Sequence, residues 1–437
     1  MARTVAFCTL GCKVNQYDSQ AMLEKFEDAG FQAAPFSAPA DVYVINTCTV
    51  TGMGDKKSRQ MIRRANRQNP GAAIVVTGCM AQRAAQSVLL PGVRLVLGTQ
   101  RRGEVVKLLQ KAMARKEALV AVEPLGDAPF ELLTVRGSAG RTRGTLKIQE
   151  GCENHCAYCV IPSVRGKVRS RPLAEVCREA ERLAGAGYQE IVVTGIHLSS
   201  YGRDFEDGTT LLDALRGIAR AEGVRRVRLG SLEPGIVTEA FAGALKEIPA
   251  ICPQFMLALQ SGSDTVLRRM GRQYDTARYA EAVECIRRAY PSANITTDVM
   301  TGFPGETDAE FWETMAFVER MRFGRIHVFP YSRREGTTAA EMPHQVPKAL
   351  REARAAELIA LGERLEAEYI AGWQGKACEV LFEESRAGGV EGYTREYVRV
   401  AGHGAVGSVQ RVHAQNLMPD GKRKLKNKQP TDCSSKR

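Results

Sequence analysis

The sequence predicts an α/β protein in three parts: an N-terminal doubly wound α/β domain, a central partial (β/α)6 barrel and a small C-terminal β-barrel. Three observations carry this reading. Apolar β-branched runs alternate with helix-like segments over residues 1–135. Strand-then-helix units repeat six times between about 140 and 345. After Gly372 the texture changes to short alternating strands punctuated by glycine. A chain of 437 residues exceeds one ordinary core, and the readings divide it into 1–135, 138–371, 372–421 and a tail, 422–437.

In the N-terminal part, strands are expected at Thr4–Leu10, Asp41–Ile45, Ala73–Thr77 and Arg94–Leu97. A cysteine follows each of the first three: Cys12 in TLGCKVNQYDS, Cys48 in VINTCTVT and Cys79 in VVTGCMAQ. Parallel strands bring their C-terminal ends to one sheet edge, where open α/β sheets place ligands. A single cysteine after a strand is commonly a small buried hydrophobe. Three at one topological position point instead to convergence on a metal cluster. Cys8, Cys177, Cys252, Cys285 and Cys378 read as core thiols.

For the barrel, strands are expected at Thr145–Gln149, Glu190–Thr194, Arg226–Leu229, Phe255–Leu259, Ile295–Thr301 and Arg325–Phe329. Helices such as Leu173–Ala186, Ala277–Ala289 and Glu310–Met321 separate them. The loop after the first strand reads GCENHCAYCVIP and carries Cys152, Cys156 and Cys159. Three thiolates on one short loop suit a four-iron, four-sulfur cluster and leave one iron open for a ligand. Buried structural thiols or a zinc site are the alternatives, but zinc wants a fourth nearby ligand and His155 is cramped between the cysteines. With six His and none paired at ligand spacing, no catalytic residue is expected beyond the cluster ligands.

A long helix is expected from Pro347 to about Tyr369, with Leu350, Leu358, Leu361, Leu365 and Tyr369 on one stripe. The strands beyond it, ACEVLFEE, GYTREYVRV and GSVQRVHAQNL, suit either an RNA-binding barrel or a purely structural module. The formal charge is +12, and five Lys and two Arg against one Asp place half of that excess in residues 422–437. Such a tail reads as disordered and either attracts phosphate backbones without sequence preference or is merely solvated. No apolar run approaches the roughly 20 residues of a membrane span, and Val5–Leu10 is too short for a secretory core, so a cytoplasmic protein is expected. Twelve cysteines in that setting argue for metal ligation over disulfides.

The cysteine loop resembles the signature of the radical S-adenosylmethionine enzymes, and the chain outside its tail resembles the methylthiotransferases among them. The stretches that carry the likeness are TRGTLKIQEGCENHCAYCVIPSVRGKVRSRP, TGIHLSSYGRD, GSLEP, LQSGSD, TDVMTGFPGET and FPYSRREGTTAAEM. In the last, Arg333 stands where a proline is more usual, so Arg334 is matched to the family's arginine. The run GCKVNQYDS, through Lys13, Val14, Asn15 and Gln16, resembles the branch acting on N6-threonylcarbamoyladenosine of tRNA.

The resemblance implies two four-iron, four-sulfur clusters, on Cys12, Cys48 and Cys79 and on Cys152, Cys156 and Cys159, with S-adenosylmethionine at the second. It implies a TRAM domain at the C-terminal end. Tyr158 would pack near the adenine, and Gly195, Glu233, Gln260, Ser261 and Asp298 are candidate cofactor contacts; each equally suits an ordinary turn or structural hydrogen bond. Arg334, Lys422, Arg423 and Lys424 are the expected RNA contacts. Expected partners are the anticodon stem-loop of tRNA, an electron donor such as flavodoxin or ferredoxin and a sulfur source, with no membrane or DNA partner. The rival readings are relatives acting on isopentenyladenosine or on a ribosomal-protein aspartate, and a non-enzymatic RNA-binding iron–sulfur sensor.

Overall fold

The computed structural model describes residues 3–137, 141–386, 389–414 and 417–418. The N-terminal elements are β1 (Thr4–Thr9), α1 (Lys13–Asp28), β2 (Gln32–Ala34), β3 (Val42–Thr47), α2 (Gly52–Gln68), β4 (Ala73–Gly78), α3 (Cys79–Arg83), β5 (Val93–Leu97), α4 (Val105–Met113) and β6 (Leu119–Ala121). Their strands form one parallel sheet in the order β2-β1-β3-β4-β5-β6. β3 and β4 are buried at every position, as central parallel strands covered on both faces must be. Alternate side chains feed two cores: Tyr43, Ile45 and Ile74 pack with Met61 and Ile62 of α2, while Val44 and Val75 pack with Met22 and Phe26 of α1 and Leu108 and Leu109 of α4. The doubly wound expectation holds. The edge strands β2 and β6 were not anticipated, because three residues are too few to display a period.

Next come β7 (Arg143–Glu150), α5 (Ile161–Arg165), β8 (Arg169–Ser170), α6 (Leu173–Gly185), β9 (Glu190–Gly195), α7 (Leu211–Arg220), β10 (Arg226–Leu229), β11 (Ser231–Leu232), α8 (Glu239–Lys246), β12 (Gln254–Leu257), α9 (Asp264–Arg269), α10 (Thr276–Ala289), β13 (Asn294–Thr301), α11 (Asp308–Met321), β14 (Arg325–Pro330), α12 (Thr338–Glu341) and α13 (Lys348–Ala371). The order β10-β9-β7-β8 makes one curved half and β11-β12-β13-β14 the other, with a parallel bridge between Val227 and Ile251 where they meet. The six long parallel strands match the expected strands to within about two residues, a normal margin for element ends. Ile191, Val193, Val227, Leu229, Leu257 and Ile295 face the helix layer and join its core. α13 covers β14 and buries Leu358, Leu361 and Leu365; Leu350, expected on that stripe, is exposed instead, in the first turn of the helix.

The last sheet is antiparallel, with β15 (Ala377–Arg386), β16 (Gly389–Thr394), β17 (Arg399–Gly402), β18 (Val409–His413) and β19 (Leu417–Met418) in the order β18-β15-β16-β17-β19. Trp373, Val380, Phe382, Val400 and Ala414 form its core. It closes the N-terminal mouth of the barrel. Arg143 meets Glu383 at 2.7 Å, Arg226 meets Glu379 at 2.9 Å, and the stacked rings of Tyr393 and Tyr397 receive the Arg143 guanidinium. Lys422, Arg423 and Lys424, with the whole basic tail, lie outside the described residues.

Candidate metal centres: two cysteine triplets

β1, β3 and β4 are neighbours in the sheet, and Cys12, Cys48 and Cys79 stand just past their C-terminal ends. Polar side chains tie these ends together. Asn15 donates to Leu10 O at 2.8 Å and Thr47 O at 3.0 Å, Asn46 donates to Asn15 O at 2.9 Å, and Thr47 Oγ1 donates to Thr77 O at 2.6 Å. Gly11 and Gly78, preceding two of the cysteines, have φ of +94° and +92°. A Cβ on Gly11 would lie 2.9 Å from Cys48 Cβ and 3.0 Å from Cys48 Sγ, so the absence of a side chain there lets the first loop close on the second.

In the barrel loop, Cys152 is also preceded by a left-handed glycine, Gly151 at φ +77°. Its missing side chain leaves room for the Lys167 carbonyl, and Cys152 N–H donates to Gly166 O at 3.0 Å. Backbone amides of Asn154 and Ile161 point at the sulfurs of Cys152 and Cys159, each at 3.4 Å, and Arg272 donates to Cys156 Sγ at 3.1 Å. Burial pushes the Cys159 thiol up to about 12 and the Cys79 thiol up to about 11, the cost of a bare thiolate in a closed site. Metal ligation removes that proton, and N–H donors aimed at the sulfurs suit cluster thiolates. Among the described residues no three His, Cys, Asp or Glu gather tightly enough to hold one ion. A cluster of several irons takes its three thiolates on different atoms and does not need them gathered on one ion. Gly151→Ala should place a Cβ against the Lys167 carbonyl and displace Cys152; iron analysis after reconstitution should then show about four irons fewer per chain.

The expected cofactor residues divide into two groups. Glu233 sits at the end of the third barrel strand, where Arg272 holds it at 2.6 Å and His197 Nε2 lies 3.6 Å away. Burial raises its carboxyl pKa, but the His197 hydrogen bond and the Arg272 charge outweigh that and keep it below the ordinary value. Gly195 leaves room for Gln149, whose Nε2 donates to Glu150 O and Gly151 O at 2.8 Å and so fixes the start of the cysteine loop. Gln260 takes φ +70° while bridging Asp298 and Met300 through its backbone. Asp298 has no side-chain partner among the described residues, and burial pushes it up to about 6. Tyr158 packs edge-on to Phe303 at 6.4 Å, beside the loop. Tyr158 stands in the cysteine loop, Gly195, Glu233 and Gln260 at or just past strand ends, and Asp298 within β13.

Two of the expected residues are engaged by the fold itself. Ser261 is fully buried and spent on the fold, its Oγ accepting from Ser263 N–H at 3.2 Å and meeting Thr314 Oγ1 at 3.2 Å. Arg334 is 5% exposed, with its guanidinium on Thr49 at 2.8 Å and Asp55 at 2.6 Å, so it clamps the barrel to α2 and offers RNA no free face. Ser332 joins that clamp by accepting from Gly52 N–H at 3.1 Å.

The residue that ties the first triplet to the barrel was not singled out from sequence. Arg165, in the helix after the barrel loop, donates Nε–H to Cys79 Sγ at 3.2 Å. The same guanidinium reaches Glu150 at 2.5 Å, Asp18 at 3.3 Å and Asn15. Lys147 bridges Asp18 at 2.6 Å and Glu150 at 2.8 Å, and Arg102 contacts the same two carboxylates. All five charged side chains are buried. Burial would raise Glu150, yet Arg165 and Lys147 hold it well below the ordinary carboxylate range. Lys147 was the available clue, a lysine interrupting the apolar strand TLKIQ.

Residues 4–98 match the model of the Uncharacterized protein family UPF0004, and residues 146–318 match that of the Radical SAM superfamily. The chain is 42% identical to Threonylcarbamoyladenosine tRNA methylthiotransferase MtaB of Bacillus subtilis, over 96% of this chain and 94% of that protein. It is 37% identical to the protein of the same name from Thermotoga maritima, over 96% of each. A tRNA-2-methylthio-N(6)-dimethylallyladenosine synthase of Corynebacterium urealyticum is 36% identical, over 88% of this chain and 73% of that one. Among solved structures, the radical S-adenosylmethionine methyltransferase TsrM of Kitasatospora setae shares the fold at TM-score 0.57 and 17% identity, covering 78% of this chain and 77% of that one. With near-complete coverage by such relatives, this chain belongs to the radical S-adenosylmethionine methylthiotransferase family, on the side that holds the MtaB proteins.

Proposed function

We propose that the chain is a tRNA methylthiotransferase that adds a methylthio group to C2 of N6-threonylcarbamoyladenosine beside the anticodon. The observation that carries this reading is the pair of cysteine triplets, the first tied to the barrel by Arg165 on Cys79, in a chain whose relatives bear that activity in their names. Adenine C2–H is not acidic, so a general base there would gain little. When bound, a cluster on Cys152, Cys156 and Cys159 with S-adenosylmethionine supplies a carbon radical for that bond, and a cluster on Cys12, Cys48 and Cys79 supplies the sulfur.

The chain's own residues hold and screen this chemistry. Gly11, Gly78 and Gly151 set the loops, and Arg272 joins Cys156 to Glu233. Glu233, Gly195, Gln260 and Asp298 line the cofactor's place in this reading, with Tyr158 against the adenine and Ser261 supporting from behind. Residues 1–135 form the methylthiotransferase domain, 138–371 the radical barrel and 372–421 a TRAM-like module that seals the far mouth against water. The partners are tRNA, an electron donor such as a flavodoxin or ferredoxin and a sulfur source, in the cytoplasm.

Lys422, Arg423 and Lys424 belong to a tail of net charge +6, whose proposed task is to hold the RNA backbone. Deleting residues 422–437 should weaken tRNA binding and flatten its salt dependence, measured by anisotropy across a salt series; an unchanged slope would mean a merely solvated tail. The substrate assignment is tested by mass spectrometry of tRNA nucleosides from cells with and without the gene. The methylthio form of threonylcarbamoyladenosine should vanish on deletion and return on complementation. Loss of the isopentenyl counterpart instead would move the chain to that branch.

A further inference from the structure

At the first turn of α1 stands Lys13, where the helix dipole disfavours a cation and where no acidic residue balances it. Its side chain is exposed, yet α1 packs on β7 and β9, and Arg143, Arg228, Glu190 and Arg141 make up its charged surroundings. On β9 Val193, and on the neighbouring β10 Val227 and Leu229, face the helices, so the alternate positions, Glu190 and Arg228 among them, face the barrel interior. Lys13 therefore lies beside Cys12 and among the charged groups at the strand starts that face the barrel interior.

The charges around it do not balance. Arg228 is matched by Glu190 at 2.7 Å, and Arg143 by Glu383 at 2.7 Å. Among the described residues Lys13 has no carboxylate partner, and Arg141 touches only the neutral Gln16 Oε1, at 2.7 Å. Two unneutralised cations beside two neutralised ones repel each other, a cost that an arriving anion would offset.

We propose that Lys13, with Arg141, binds the free carboxylate of the threonylcarbamoyl group and so selects that modified adenine. This rests on the substrate reading above and deepens it: the dimethylallyl group named for other relatives is a neutral hydrocarbon with nothing to offer two cations. A carboxylate on two such donors gains charge-assisted hydrogen bonds that an amide cannot match.

The test uses the reconstituted full chain and two anticodon stem-loop RNAs, one with the threonine carboxylate free and one with it converted to the primary amide. The parent should bind and turn over the acid roughly 10- to 100-fold better, read as Kd and as KM. Lys13→Gln and Arg141→Gln should each lose most of that preference by weakening on the acid alone, while Lys13→Arg keeps it. Arg141 lies away from every cysteine of the two triplets in sequence, so its variant answers even where Lys13→Gln disturbs the neighbouring loop. Equal losses on both RNAs, as a phosphate contact would give, or no loss on either, overturn the proposal. A parent that modifies neither RNA overturns the substrate reading itself, and this inference with it.

Discussion

A Cys48→Ala protein is expected to cleave S-adenosylmethionine to 5′-deoxyadenosine under reducing conditions while transferring no methylthio group to tRNA. Cys48 belongs to the sheet-edge triplet, where its sulfur crowds Gly11 and its carbonyl accepts from Ser58. None of the bonds that set the barrel loop passes through it. Those run from Cys152 to Gly166, from Ala157 to Met270 and from Arg272 to Cys156. Losing one of three thiolates should disable the sulfur site and spare the radical site. Cys156→Ala should abolish both products, because radical formation precedes transfer. Chromatography for 5′-deoxyadenosine and mass spectrometry for the nucleoside separate the two activities. Robust methylthiolation by the Cys48 variant would mean that sulfur does not pass through this triplet.

Arg165→Gln should cost about 3–5 kcal/mol of stability, the usual price of removing one partner from a buried ion network. The substitution leaves Glu150 and Asp18 short of a counter-charge in a site with almost no water contact, and takes the donor from Cys79. Lys147 and Arg102 remain and keep the loss finite. Denaturant midpoints at pH 7 should show the drop. Glu150 is depressed in the folded parent, so its contribution is full above the unfolded carboxylate value near 4.5 and fades as pH falls toward its folded value. In the variant that depression shrinks, so the gap between the two proteins should narrow in acid. A variant with parental midpoints would show that the network has no bearing on how the two domains hold together.

Legibility tracked sequence distance. The barrel strands could be placed because each is an apolar run long enough to show its period, and the six cysteines because their spacing is local or topological. Pairings across the domain junction could not be read. Lys147 and Asp18 are 129 positions apart, and Arg165 and Asn15 are 150 apart. Nothing local marks them as partners. The surroundings of Arg334 and Ser261 could not be read either, because a motif shows which residues are present but not whether a neighbouring element covers them; here α2 covers the first and α11 the second. Arg272 lay in a stretch with no distinguishing pattern, and only folding brings it to Cys156.

Two independent cluster sites are tested most directly by iron and sulfide content after anaerobic reconstitution. The full chain should carry about eight irons, and the chain with Cys152, Cys156 and Cys159 all replaced by Ala should keep about four. A triple variant that binds no iron would mean that Cys12, Cys48 and Cys79 form no cluster site of their own.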